Sequence, residues 1–452
     1  MRLVALTRTQ HRLALGVAAV LGLIVLLAGA VLLRLPGEAD MAARLATEFE
    51  QRTGIGLRIG TLHVGLLPRP VVSVSDLATQ QKQPITVRRI DIQFSWSALL
   101  HRRLQIAHIE VEGALLPRVS VREFRGRGDD LDRMPAGNIG AGLLTLAPIP
   151  VEQLGFRDVQ WIDRRGIALA YDGRIDFDLG WRPRHAEVVR PGTAASVTLM
   201  LDHEARASGQ TAADGVDRWR VAIDAGGGTC NGQAMLETLA SGRWRVTAQL
   251  EPRNIDVTRL VEAFGRHSAI AGRLHGKTEL RMEAASPGSL VRTLHTRTPF
   301  TVKPATLLRF DLAKAVRTAG TSRDGQTSLD ELGGTLDTQA TDDGTQLRLT
   351  KLKARSGLLT ASGSATVLDR KLSGEVAVDV VDGIVGVPLK IGGTTEAPEL
   401  SMTGASLTGA AIGTAVLPGV GTAIGARIGQ KVGQLLGGSA RKTTSRRTHP
   451  DR

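Results

Sequence analysis

Ile90-Asp91-Ile92-Gln93-Phe94 sets an apolar residue at every second position with a polar residue between. Successive side chains of a strand point to opposite faces, so this stretch has one dry and one wet face; on a helix the same residues scatter. The pattern spreads outward from there. Upstream, Leu57-Arg58-Ile59-Gly60-Thr61-Leu62-His63-Val64 begins a series of strands, and Val72 and Val74 alternate with Ser73 and Ser75. Downstream, Leu104 and Ile106 flank Gln105, and Ile109 and Val111 continue after a one-residue slip, which predicts a β-bulge. Further rows are Ile175, Phe177, Leu179 and Trp181; Val197, Leu199 and Leu201; Trp219, Val221 and Ile223; Trp244, Val246, Ala248 and Leu250; Leu280 and Met282; Leu347 and Leu349; and Val376, Val378 and Val380. The class is mainly β. A two-layer sandwich and one long sheet both satisfy the alternation. A sandwich completes its strands within about 100 residues, whereas this pattern runs for most of the chain. An elongated, curled antiparallel sheet, a groove with its apolar face inward, is therefore the expected architecture.

A few short helices interrupt the strands. Met41, Leu45 and Phe49 recur every four residues and Gly54 is placed to end that helix. A second starts at Asp256 and runs through Leu260, Val261 and Phe264 to Gly265, and a third runs from Asp311 to Arg317.

Leu13–Leu33 is of another kind. Its residues are drawn only from Leu, Val, Ile, Ala and Gly, and as a helix it reaches about 31 Å, the thickness of a bilayer core. Arg2, Arg8 and Arg12 precede it without an acid, and Arg34, Glu38 and Asp40 follow. The positive-inside rule then leaves 1–12 as a basic cytoplasmic N-terminus, 13–33 as a single transmembrane helix and the rest of the chain outside the cytoplasm. The competing reading is a cleaved signal peptide, with Ala28-Gly29-Ala30 as the small-residue site; that site lies inside the apolar run.

Arg125–Pro150 breaks the strand pattern with Gly126, Gly128, Gly137, Gly140, Gly142 and three prolines. It is expected as a linker between a β region over 37–124 and another over 151–404. Asp129, Asp130 and Asp132 within it lack the spacing and terminal Glu of a calcium loop.

Past residue 404 the pattern changes again. Gly409 and Gly413 are four apart, and Gly421, Gly425, Gly429, Gly433 and Gly437 repeat every four residues. On a helix these make a small-residue stripe, the glycine zipper that lets helices approach closely in a bilayer. Three readings of 405–438 stay open: a membrane hairpin turning at Leu417-Pro418-Gly419, an interfacial segment that self-associates, or a flexible tail. The basic tail 439–452, with Arg441, Lys442, Arg446 and Arg447, suits anionic head groups.

Charge and motifs narrow the function. The net charge is +13 while aromatics are only 3% of the residues, so stacking platforms for nucleic acid are scarce and no nucleic-acid partner is expected. Anionic lipid and a plain solvated basic surface both account for the charge. Cys230 is the one cysteine, so no internal disulfide holds the body together, and its Gly-rich surroundings suggest a buried small residue rather than a reactive thiol. The chain has no Gly-x-Ser-x-Gly, His-Glu-x-x-His, Cys-x-x-Cys or P-loop. No catalytic residue, cofactor or metal site is assigned, and an enzyme is not expected.

The order of several short motifs resembles the AsmA-like family of bacterial envelope proteins. The N-terminal part is similar in its apolar run, the helix ending in Arg52-Thr53-Gly54, then Ile59-Gly60-Thr61-Leu62-His63-Val64, Leu67-Pro68-Arg69-Pro70-Val71-Val72-Ser73-Val74, and Ser95-Trp96-Ser97-Ala98-Leu99-Leu100 leading into Leu104–Gly113. The later part is similar in Asn254-Ile255-Asp256-Val257, Ile270-Ala271-Gly272-Arg273-Leu274, Val387–Thr394 and Ala397-Pro398-Glu399-Leu400. The resemblance implies an inner-membrane anchor, a periplasmic β-rich body that shields lipid tails, a part in phospholipid transport to and maintenance of the outer membrane, and no catalytic residues.

On that expectation the lipid-facing floor comprises Ile90, Ile92, Phe94, Ile106, Ile175, Phe177, Leu179, Val246, Val376 and Val378. Phospholipid is the expected partner, with the inner membrane held through 13–33 and a second membrane or protein met through the zipper glycines. Two alternatives stay open. The same rows can pack an ordinary closed core, and the chain can be a structural or regulatory envelope-assembly protein that carries no lipid.

Overall fold

The computed structural model describes residues 37–124, 145–163, 165–178, 182–191, 196–204, 216–285, 287–317, 325–341, 344–357, 359–380, 384–395 and 397–402. The apolar run 13–33, the basic N-terminus before it, most of the expected linker, Leu179, Trp181, the glycine zipper 405–438 and the tail 439–452 lie outside the described residues. Among the described residues no helix is long and apolar enough to cross a membrane.

Strands make up 65% of the described chain, so the class is mainly β. The chain falls into two units. The first takes in Met1–Ile255, Arg259–Arg266 and Thr278–Leu294; the second takes in Asp256–Thr258, His267–Lys277 and His295–Arg452.

The first unit begins with helix α1 (Glu38–Thr53), followed by β1 (Leu57–Arg58), β2 (Thr61–Gly65), β3 (Val71–Thr79) and β4 (Thr86–Phe94). Helix α2 (Trp96–Leu100), β5 (Arg103–Pro117) and α3 (Arg118–Glu123) come next. The strands then run on as β6 (Thr145–Val151), β7 (Gln153–Ile162), β8 (Ala168–Asp178), β9 (Arg182–Arg190), β10 (Val197–His203), β11 (Val216–Ala225), β12 (Gly228–Thr238) and β13 (Trp244–Arg253). The short β14 (Ile255–Asp256) and α4 (Val257–Ala263) stand in the sequence where one unit gives way to the other.

In α1 the four-residue spacing does what it predicts. Met41, Leu45 and Phe49 are 3%, 3% and 1% exposed, each burial stabilising by about 1.5–3 kcal/mol. Glu38 and Asp40 lie in its first turn and Arg52 in its last, matching the helix dipole. Gly54 ends it at φ 65°, its N–H donating to the Glu50 carbonyl at 2.7 Å, a left-handed conformation that costs glycine little.

The sheet of this unit is mixed, which corrects the antiparallel expectation. β5 pairs with β6 and with β7 in parallel, while the other pairings from β1–β3 through β12–β13 are antiparallel. Arg125–Pro150 is the physical reason. A tight hairpin returns the chain antiparallel, whereas a connection of this length carries it back to the end where β5 began. The expected linker also ends early, because Thr145–Val151 forms β6 and both flanks belong to one unit. The bulge is where the slip predicts: Phe94 pairs with Ile106 and Gln93 with His108, leaving Ala107 as the extra residue.

The first unit closes with β16 (Thr278–Ala284), paired antiparallel to β13, and α5 (Pro287–Leu290). The second unit has β15 (Ile270–Gly276), β17 (His295–Leu307), α6 (Leu312–Arg317), β18 (Thr327–Leu329), β19 (Glu331–Thr341), β20 (Gly344–Arg355), β21 (Leu359–Leu368), β22 (Lys371–Val380), β23 (Ile384–Gly393) and β24 (Pro398–Met402). Its pairings are antiparallel, β15–β17 and then β17–β19 in sequence through to β23–β24. The helices expected at Asp256 and Asp311 are α4 and α6. Asp311 caps α6, its Oδ1 accepting from the Lys314 N–H at 2.8 Å.

Candidate functional site

Hydrogen-bonded strands bring opposite residues onto the same face of a sheet. In the first unit this lines up one apolar row over eleven strands. Leu62, Val74, Ile90, Val111, Phe156, Gly173, Val188, Leu199, Ile223, Cys230 and Pro252 stand opposite one another in turn, from β2 to β13. A second row runs beside it through Val64, Val72, Ile92, Ile109, Leu154, Ile175, Ala186, Leu201, Val221, Gly232 and Leu250. The alternate positions carry Ser73, Asp91, Glu110, Arg174 and Glu187. On that wet face Glu110 meets Arg157 at 2.9 Å and His108 at 3.0 Å, and Asp91 meets Arg89 at 2.8 Å. The arginines of these pairs are exposed while Glu110, His108 and Asp91 are half-buried; pairs with one partner in water add little stability, and they mark the polar side of the sheet.

Burial changes along the apolar rows. At the β2–β5 end they are closed: Val74 and Ile92 are 0% exposed, and Met41, Leu45 and Phe49 of α1 share their core. From Val111 of β5 to Ile223 of β11 the first row is half-buried, at Val111, Phe156, Val188, Leu199 and Ile223, before Cys230 and Pro252 close it again; the second is half-buried at Leu154, Ile175 and Leu201. Ala186 and Val221 are buried between them. Gly173 fits the same face. A Cβ there would lie 2.5 Å from both Phe156 Cζ and the Glu187 carbonyl oxygen, so only glycine lets the Phe156 ring and the β9 backbone come this close.

Charge also reaches this face, at Arg190 of β9, which stands opposite Val197, and at Asp217 of β11. Asp217 of β11 is 3% exposed, with Arg182 Nε 2.6 Å and His203 Nε2 3.6 Å from its carboxylate oxygens. The Arg182 N–H is not aimed for a hydrogen bond, so the contact is an ion pair by proximity. The His203 ring lies 5.0 Å from that of Trp219, whose Nε1 donates to the Pro183 carbonyl at 2.7 Å. Near the far end of the first row, one strand before Pro252, Cys230 is buried, and burial pushes its thiol up from the ordinary value.

The expected lining residues divide between these environments. Ile90, Ile92, Phe94 and Ile106 are 4%, 0%, 2% and 1% exposed and belong to the closed core beneath α1. A floor open to lipid is therefore corrected at these four positions: the apolar stripe of α1 covers it. Ile175 and Phe177 are half-buried, Phe177 packing against the edge of that same core. Val246 is half-buried on β13, near Trp244, Ala284 and Leu290. Val376 and Val378 belong to the second unit. There Val378 is 0% exposed beside Leu312 and Ala315 of α6, with Val376 half-buried against the same core. Leu179 lies outside the described residues, as do Gly409, Gly413, Gly421, Gly425, Gly429, Gly433 and Gly437.

Phe156 and Val188 are absent from the expected lining. Leu154 and Phe156 do alternate with Gly155 and Arg157, a signal masked by the Gly/Pro stretch just before. Val188 sits in Arg182–Arg190, a strand with four charged residues, where periodicity is weak.

No family model, curated protein or solved structure matches this chain.

Proposed function

We propose that this chain is a non-enzymatic, membrane-anchored protein that shields phospholipid tails on the half-buried apolar face beyond β5. The observation that carries the reading is the passage of one apolar row from full burial under α1 to partial exposure at Phe156, Val188, Leu199 and Ile223. A lipid tail exposed to water costs about 0.8 kcal/mol per CH₂. An apolar face with few hydrogen-bonding groups relieves that cost without chemistry and lets the tail slide. The curl expected of the sheet is not needed for this; a face wide enough for an acyl chain suffices. Rows at about 4.8 Å per strand give β7–β11 that width.

Leu13–Leu33 supplies the anchor in this reading, with the N-terminus cytoplasmic and the bulk of the chain in the periplasm of a bacterial cell. Outer-membrane maintenance is the role the AsmA-like resemblance suggests, and it rests on the quoted motifs alone. The zipper glycines and basic tail are proposed as a second membrane or protein contact. Deleting 405–452 is expected to abolish liposome tethering; unchanged tethering removes that part.

The lipid reading is tested by purifying the full chain in detergent and extracting it for mass spectrometry. Co-purifying phospholipid that falls when Leu199 is changed to Asp supports it. A lipid-free protein favours the structural, assembly-factor reading, for which the closed core at Ile90, Ile92 and Phe94 is the supporting observation.

A further inference from the structure

Large apolar side chains at one end of the first unit face water. Leu67 is 85% exposed, Leu100 79%, Trp96 40% and Leu66 39%. They come from two segments that meet: the turn between β2 and β3, and helix α2. Trp96 Nε1 donates to the Pro68 carbonyl at 3.3 Å, and the Phe94 N–H donates to the Pro70 carbonyl at 2.8 Å. Around them stand Arg69, His101, Arg102 and Arg103, all exposed, and neither Leu66–Pro70 nor Trp96–Arg103 contains an acid. A cluster of Leu and Trp ringed by Arg is costly in water and favourable at a bilayer surface. There Trp takes the head-group level and Arg reaches the lipid phosphates.

The chain itself says which surface covers it. Glu38, in the first turn of α1, accepts from His63 Nδ1 at 3.0 Å and from the Val64 N–H at 3.4 Å. That fixes the start of α1 beside the end of β2, just before Leu66. Only Arg34, Leu35, Pro36 and Gly37 separate Glu38 from Leu33, a span of at most about 18 Å when extended. A membrane helix over Leu13–Leu33 therefore ends close to the exposed cluster.

We propose that Leu66, Leu67, Trp96 and Leu100, with Arg69 and Arg103 beside them, seat this end of the first unit in the head-group layer of the membrane that holds the anchor. The ends of β2 and β4 then face the bilayer directly. This rests on reading Leu13–Leu33 as the anchor.

The test uses the full chain carrying Cys230→Ser and one new cysteine, at Leu67, at Leu100, or at Val291 as an exposed apolar control (61% exposed). Each is labelled with an environment-sensitive nitrobenzoxadiazole dye and reconstituted into vesicles of phosphatidylethanolamine and phosphatidylglycerol. The expected result is co-flotation of all three, with a blue shift and loss of emission to lipid-borne quenchers at 67 and 100 and neither at 291. A label at Leu66 should lose its quenching when Leu67 and Leu100 are both changed to Asp, while the protein still floats. Co-flotation with unquenched labels at 67 and 100 overturns the patch and leaves the anchor standing. Failure to float overturns the anchor and the patch with it.

Discussion

The β2–β5 end of the first unit and the strands β7–β11 share one apolar face but differ in what lies on it. At β2–β5 the face is dry because Met41, Leu45 and Phe49 occupy it. Along β7–β11 the same rows continue through Phe156, Val188, Leu199 and Ile223, half-buried. Alternation gives a strand an apolar side; only a partner element turns that side into a core. The two stretches are therefore the same sequence device with two outcomes, a packed core at one end and a half-buried face along the other.

Substitutions can break this contrast. Phe94→Ala, inside the closed end, is expected to cost about 3–5 kcal/mol in chemical denaturation. A loss below 1 kcal/mol there would mean the end is not closed. Leu199→Ala, on the half-buried stretch, is expected to cost less, about 1–2 kcal/mol, because that side chain is already partly in water. A cost equal to that of Phe94→Ala would make the two stretches alike.

Smaller effects sharpen the picture. Cys230, near the far end of the first row, has a thiol pushed up by burial. Its reaction with a disulfide reagent at neutral pH should be slow in the native protein and fast in denaturant; rapid native labelling would open that end. Glu283 on β16 has its carboxyl held below the usual range, first by the hydrogen bond from Arg245 and then by those from Arg281 and Arg243. A carboxyl lowered in the folded state stabilises it above the unfolded value of about 4.3, and that contribution is lost as pH falls through the folded value. Glu283→Gln should thus flatten the acid side of the stability profile of the first unit. An unchanged profile would leave the arginines without effect. Glu331 of the second unit, lowered chiefly by its hydrogen bond from Lys303, offers the matching control.

Much of the fold is legible in the sequence. The period-two rows mark β4, β11 and β13, the slip after Ile106 marks its bulge, and Asp256, Asp311 and Gly54 mark helix ends. What escapes is partnership. Nothing in Ile90-Asp91-Ile92 says that α1 covers it, because the contact joins residues about 45 apart in sequence. The parallel step from β5 to β7 is hidden for the same reason: a glycine-rich connection shows its length but not where it returns. The candidate site is legible as a face and illegible as an opening. Ile90, Ile92, Phe94 and Ile106 are the most regular positions and prove to be the ones most tightly packed, while Phe156 and Val188 lie in less regular strands and stay half-buried.

The most direct test of the central claim is the phospholipid content of the purified full chain, measured by mass spectrometry for wild type, Leu199→Asp and Phe49→Leu. Bound phospholipid is expected in wild type, with its loss in Leu199→Asp while the fold stays intact and its retention in Phe49→Leu. Lipid-free wild type, or equal lipid in wild type and Leu199→Asp, would contradict that claim.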